Sequence, residues 1–188
     1  MSKAVMLSIR PKWCEKIVNG DKTIEVRKTR PKLEMPFKCY IYCTLQGCNE
    51  FFRVDLGGDV AKWNRGKWAD RKGKVIGEFT CDRIDRLAPA NEPYGIYDID
   101  DDYVLQTCLW NGALWDYGHG TPLYGWHISD LVIYDEPKEL IEFHTWKKCK
   151  SCSKSGYEST ACIYDENCMI PAAITKAPQS WCYVEEDT

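Results

Sequence analysis

Between residues 37 and 44 the chain alternates without a break: Cys39, Ile41 and Cys43 fall on one side, Tyr40 and Tyr42 on the other. That is the period-two pattern of a β-strand, and it sets the terms for the rest of the sequence. Residues 4–9 form a compact apolar run of strand length, Val75, Ile76 and Phe79 give residues 73–81 strand character, and residues 131–134 read as another strand. Helical patterning is brief by comparison. Residues 11–19 suit a short helix with Pro11 in its first turn and Trp13, Ile17 and Val18 on one face. Residues 103–110 suit a second, with Val104, Leu105, Cys108 and Leu109 inward and the acidic run Asp98, Asp100, Asp101 and Asp102 at its N-terminus. Strands without regular helical crossovers do not build a parallel sheet. They point to an α+β fold, a small closed or half-closed β-barrel with short helices.

The chain is 188 residues long, enough to bury a real core, and its 44% hydrophobic and 28% charged content places it among soluble globular proteins. We expect one barrel domain over residues 1–140 and an extension over 141–188 that ends in a last strand at 180–184. No apolar run reaches the length of a membrane span. The first residues enter a strand-like run, interrupted by Arg10-Pro11, that is too short for a signal peptide, so the expected location is cytoplasmic. Net charge is −3, but residues 1–32 hold nine Lys/Arg against three Asp/Glu, a local +6 that leaves −9 for the remainder. A basic end on an acidic protein marks either a face for an anionic partner or a solvated strand edge.

The polar constellation of that basic end is Gly20-Asp21-Lys22-Thr23-Ile24-Glu25-Val26-Arg27. The glycine turns the chain out of the first helix and an extended run follows. Alternation then places Thr23, Glu25 and Arg27 on one face and Ile24 and Val26 on the other. A carboxylate, a guanidinium and a nearby lysine can hold a small polar ligand or pair with one another. Three other segments carry chemistry. Trp63 and Trp68 are interleaved with Lys62, Arg65, Lys67, Arg71 and Lys72, a composition that suits either base stacking or core packing. His127, at a strand entry beside Trp126, suits either proton transfer or a hydrogen-bonded core position. His119 lies in a Gly-His-Gly loop and carries little information.

Eleven cysteines in a reducing compartment imply free thiols or metal ligation. Cys14, Cys39, Cys43, Cys48, Cys81 and Cys108 are scattered among apolar neighbours and read as small buried hydrophobes. Cys149, Cys152, Cys162 and Cys168 supply four thiolates within twenty residues, the first pair at the chelating spacing of a tetrahedral site. Four cysteines with no open position imply a structural Zn(2+). Reduced thiols and disulfides are the alternatives, and His144 or Cys182 could replace one ligand. Cys182, in the last strand, is expected to pack.

Taken together, residues 7–11 with their helix, the Gly-x-Lys-x-x-Glu-x-Arg pattern of residues 20–27, residues 73–79 and the strand entry Gly125-Trp126-His127-Ile128 resemble an ASCH domain of the PUA-like superfamily. The resemblance spans residues 1–140 and implies a PUA-like barrel that binds RNA or a modified nucleotide. It would make Arg10, Lys12, Lys22, Glu25 and Arg27 the polar anchors of a cleft, with Trp126 stacking on a base. One branch of the family consists of hydrolases of acylated nucleosides that use a lysine and a threonine. Lys22 matches the lysine, but Glu25 stands at the threonine position and Thr23 lies two residues earlier, so that activity is not carried over. Were the chain nonetheless a hydrolase of a modified nucleoside or RNA, Lys22 and Glu25 would carry the proton transfer. The cysteine-rich tail also resembles small phage and prophage members, which implies a protein-interaction module as a further alternative. The expected partners are RNA or a nucleotide, with a protein partner possible and no membrane.

Overall fold

The strand at the centre of the fold is buried from both sides. The computed structural model describes residues 3–45, 70–90, 95–148 and 169–185. β1 (Lys3–Ile9) lies between β10 (Trp181–Glu185), antiparallel to it, and β3 (Phe37–Cys43), parallel to it. β4 (Val75–Cys81) and β7 (Ser129–Lys138) follow antiparallel, giving the five-stranded order β10-β1-β3-β4-β7. The alternation of β3 explains its place: Cys39, Ile41 and Cys43 join Val5, Leu7, Ile9 and Phe79 in one core, while Tyr40 and Tyr42 join Ala4, Met6 and Val75 in another. Each large apolar side chain buried there contributes on the order of 1.5–3 kcal/mol.

A second sheet, β2-β6-β5, comprises β2 (Ile24–Arg27), β6 (Leu123–His127) and β5 (Ile84–Leu87). It packs Trp126 and Ile84 onto the first core and, from its other face, packs Val26, Leu87 and Leu123 against Tyr97 and Leu114. That outer layer contains the short helices α2 (Asp101–Thr107) and α3 (Asn111–Gly118). α1 (Pro11–Val18) buries Pro11, Cys14 and Ile17, so its inward face is Pro11-Cys14-Ile17 rather than Trp13-Ile17-Val18. The far face of the large sheet is covered by Phe143 and Ile174, beside the hairpin-like pair β8 (His144–Lys148) and β9 (Met169–Ala173). Residues beyond 140 therefore share the sheet and core of the residues before it.

The fold is α+β and strand-rich, as expected, but the barrel does not close among the described residues. Both edges of β1 are occupied, by β10 and β3, so β2 does not pair with it and has β6 as its ladder partner. The gap is bridged by side chains instead. The second helix also differs from expectation: it begins earlier, with the Asp100 side chain accepting from the Tyr103 amide at 2.7 Å, and it ends at Thr107, where Cys108 turns left-handed with φ 55°. Residues 116–118, expected in a glycine-rich loop, complete α3. Among the scattered cysteines, Cys14, Cys39, Cys43 and Cys81 are buried free thiols and Cys108 is half-buried; Cys48 lies outside the described residues. No helix among those residues is long and apolar enough to cross a membrane.

β4 and the edge strand β7 meet tightly at Gly77, opposite Ile133, where an added Cβ would lie 2.3 Å from the Val132 carbonyl oxygen and 3.1 Å from the Ile133 Cα. Backbone cannot yield as a side-chain tip can, so Gly77→Ala should cost about 1–3 kcal/mol through overpacking. A lowered urea midpoint would show it, and an unchanged one would contradict this packing.

Candidate functional site

Gly20 adopts φ 80° at the end of α1 and its amide closes the helix on the Ile17 carbonyl. The chain then reverses into β2, which pairs with β6 in the register Ile24↔His127, Glu25↔Trp126, Val26↔Gly125 and Arg27↔Tyr124. Ile24 and Val26 face the helical layer, so Glu25 and Arg27 project the other way, towards β1 and β10. The expected alternation of the motif is thus present.

The three ionised side chains of the motif form one buried cluster. The Glu25 carboxylate takes Arg27 Nη2 at 3.0 Å on one oxygen and Lys22 Nζ at 3.4 Å on the other, and none of the three side chains is more than 8% exposed. The remaining donors find backbone. Lys22 Nζ donates to the Thr107 carbonyl at 2.6 Å, Arg27 Nη2 to the Ser8 carbonyl at 2.8 Å, and Arg27 Nη1 to the Ser180 carbonyl at 3.3 Å and its hydroxyl at 3.4 Å. Arg27 Nε and Trp126 Nε1 are buried with no hydrogen-bond acceptor among the described residues. Burial pushes the Lys22 ammonium below the usual lysine range, and the Glu25 carboxylate pulls it back only in part. The cluster carries a net charge of +1 from two cations and one anion.

Further cations come near through an aromatic ring or the chain itself. Lys12 Nζ lies 4.6 Å and Lys22 Nζ 5.2 Å from the centre of the Trp13 ring, a shared cation–π contact. Beyond Arg27 the loop exposes Lys28, Thr29, Arg30 and Lys32. It is pinned to β10 by Trp181 Nε1 donating to Thr29 Oγ1 at 3.0 Å and the Lys32 amide donating to the Tyr183 hydroxyl at 2.8 Å. Arg10 is exposed at the N-cap of α1.

Of the residues singled out by sequence, Lys22, Glu25 and Arg27 come together, Lys12 joins them over Trp13, and Arg10 stands at the near end of β1. Trp126 does not offer a ring to a base. It is 0% exposed and wedged between Phe37, at 5.9 Å, and Trp181, at 6.0 Å between ring centres, because its partner position opposite Glu25 aims it into the core. His127 lies on the other face of the sheet, opposite Ile24, with Nε2 2.7 Å from Asp85, whose second oxygen accepts from Arg83 Nε at 2.7 Å. Burial would raise the Asp85 carboxyl, but the hydrogen bonds from His127 and Arg83 outweigh it and hold the group below its ordinary range. This is a separate, structurally satisfied pair. Trp63, Trp68, Cys149, Cys152, Cys162 and Cys168 lie outside the described residues, and among those described no three His, Cys, Asp or Glu side chains are grouped to hold a metal. Sequence reasoning missed Thr107 and Tyr117, which reach the motif only because α2 and α3 fold over β2; no local pattern marks them.

No family model matches this chain, and no curated protein matches it. Among solved structures it is similar to ASCH from Zymomonas mobilis, at 19% identity and a TM-score of 0.47, over 73% of this chain and 73% of that one. It is also similar to a point mutant of the same protein, at 18% identity and a TM-score of 0.48, over 74% and 77% of the two chains.

Removing one member of a buried, hydrogen-bonded ion cluster strands the others. Arg27→Ala should therefore cost on the order of 3–5 kcal/mol, whereas the exposed Lys28→Ala should stay within about 0.5 kcal/mol. Urea unfolding of the two variants checks this; a harmless Arg27→Ala would mean that the cluster is not buried in solution.

Proposed function

We propose that this protein binds RNA or a nucleotide, with the Lys22–Glu25–Arg27 cluster as the floor of the site and the loop that follows Arg27 as its basic rim. One observation carries the reading: a buried cluster of net positive charge, holding a guanidinium Nε that lacks an acceptor, continues directly into exposed Lys28, Arg30 and Lys32. Phosphates answer such a rim, and an acceptor atom on the ligand would answer the Arg27 donor. The sequence resemblance to ASCH domains points the same way. The hydrolytic alternative has less support. Lys22 Nζ is engaged by both Glu25 and the Thr107 carbonyl, and position 25 has no hydroxyl nucleophile.

If phosphates are held by the three rim cations, the affinity for single-stranded RNA should fall with salt at a log–log slope of about −2, from roughly −0.7 per neutralised phosphate. Equilibrium binding across a salt series tests this, and no binding to RNA or nucleotides at low salt overturns the reading.

The second part of the proposal is a structural zinc ion held by Cys149, Cys152, Cys162 and Cys168. Besides the spacing, its support is topological. β8 and β9 pair Lys148 with Met169, and Cys149 and Cys168 are the residues bonded next to that pair. Four thiolates on a chain whose ends are already together need little further ordering to meet one ion. Protein purified without chelator should contain about one equivalent of zinc, lost in Cys152→Ser. A folded, metal-free wild-type protein refutes the assignment.

A further inference from the structure

Tyr117 stands on α3 beside the end of β2, where the motif passes into the basic loop. Its ring lies under the Lys28 ammonium, which is 5.0 Å from the ring centre, and the residue remains 37% exposed. No carboxylate pairs with Lys28 among the described residues. The phenol oxygen sits against the Lys28 backbone and within the field of both Glu25 and Arg27. Burial pushes its pKa up, with Arg27 pulling it down and Glu25 pushing it further up. Tyr117 is thus a half-open aromatic group at the β2 end of the otherwise enclosed cluster, as Trp13 is at the Lys22 end, and Lys28 accompanies it.

We propose that Tyr117 and Lys28 form the contact for one nucleotide at the border of the cluster, the open part of the Tyr117 ring stacking on a base and Lys28 meeting the adjacent phosphate. This deepens the binding function proposed above and rests on it. Trp126, the aromatic that the sequence offered for stacking, is sealed in the core, so the role passes to a side chain supplied by the helical layer. A phenol ring stacks on any base through its open π-face, and the lysine over its other face supplies a point charge for the phosphate. The pair therefore selects a nucleotide without selecting its sequence. The ligand chemistry is a base carrying a phosphate, either free or within a strand.

The test measures affinity for a short fluorescent single-stranded RNA of mixed sequence, with the four nucleoside monophosphates as competitors. Tyr117→Ala should weaken binding by roughly 5- to 150-fold, the range that stacking of one base spans. Tyr117→Phe keeps the ring and should bind as wild type. Lys28→Ala, exposed and harmless to folding, should reduce the salt slope by about 0.7. Competition by the monophosphates would identify a free nucleotide as sufficient, and its absence would identify a strand; both outcomes support the contact. Wild-type affinity in Tyr117→Ala, or a Tyr117→Phe variant as weak as Tyr117→Ala, overturns the inference while leaving the binding function intact. No binding by the wild-type protein overturns both.

Discussion

The Glu25 carboxylate is the point on which the fold turns. A charge withdrawn from water costs several kcal/mol unless it is paired and its neighbours are hydrogen-bonded, and here two cations share one anion. Their other donations, Arg27 Nε apart, go to carbonyls from three different parts of the chain: Ser8 at the end of β1, Ser180 just before β10, and Thr107 at the end of α2. The cluster therefore ties the N-terminal strand, the C-terminal strand and the helical layer to β2. Because such clusters are often no more stabilising than apolar packing of the same volume, its contribution lies in fixing how the layers are placed rather than in net free energy.

The same contacts explain why two open sheets stand where a barrel was expected. A barrel needs every strand edge paired by backbone. Among the described strands β10 and β7 end the large sheet and β2 and β5 the small one, and what spans from β2 to the ends of β1 and β10 is a guanidinium instead of a ladder. Arg27 is long enough to span between the sheets, and its planar fork reaches Glu25 and Ser8 from one nitrogen and Ser180 from the other. At the opposite face of β2 the layers approach closely at Gly125, where an added Cβ would lie 1.8 Å from the Tyr103 hydroxyl and 3.0 Å from Ile24 Cγ2. The small sheet is thus clamped between an ionic bridge on one side and close packing against Tyr103 on the other.

How much of this was legible in the sequence depends on the range of the interaction. The alternation of residues 37–43 foretold both faces of β3, because strand periodicity is local and both faces are buried. The helix after β1, its closure at Gly20 and the shared face of Glu25 and Arg27 follow from equally local rules. The acidic run suits a helix N-terminus, and α2 begins within it, with Asp100 as the cap. What escaped were long-range facts. The pairing of β10 with β1 joins residues far apart in the chain, and no pattern in either names the other. The break at Cys108 depends on docking, since its thiol meets the Asp21 carbonyl at 3.2 Å while Thr107 next to it receives Lys22. Trp126 was expected at a surface because the motif was expected to line a cleft; strand pairing decides instead that a residue opposite Glu25 faces inward.

The interior around the motif is not fully resolved into pairs. Arg27 Nε and Trp126 Nε1 both lack an acceptor, and because Glu25 pairs with Trp126 and Arg27 with Tyr124, both donors lie on one face of β2-β6. A buried donor left without an acceptor costs about 1–3 kcal/mol, a large share of the stability of a domain this size. Tyr103 Oη and Glu185 Oε1 are likewise buried without a partner among the described residues, so the unpaired groups are not confined to this wall. The two beside the motif share a sheet face with the Glu25 carboxylate, and their desolvation is part of what the ion pairs of the cluster must offset.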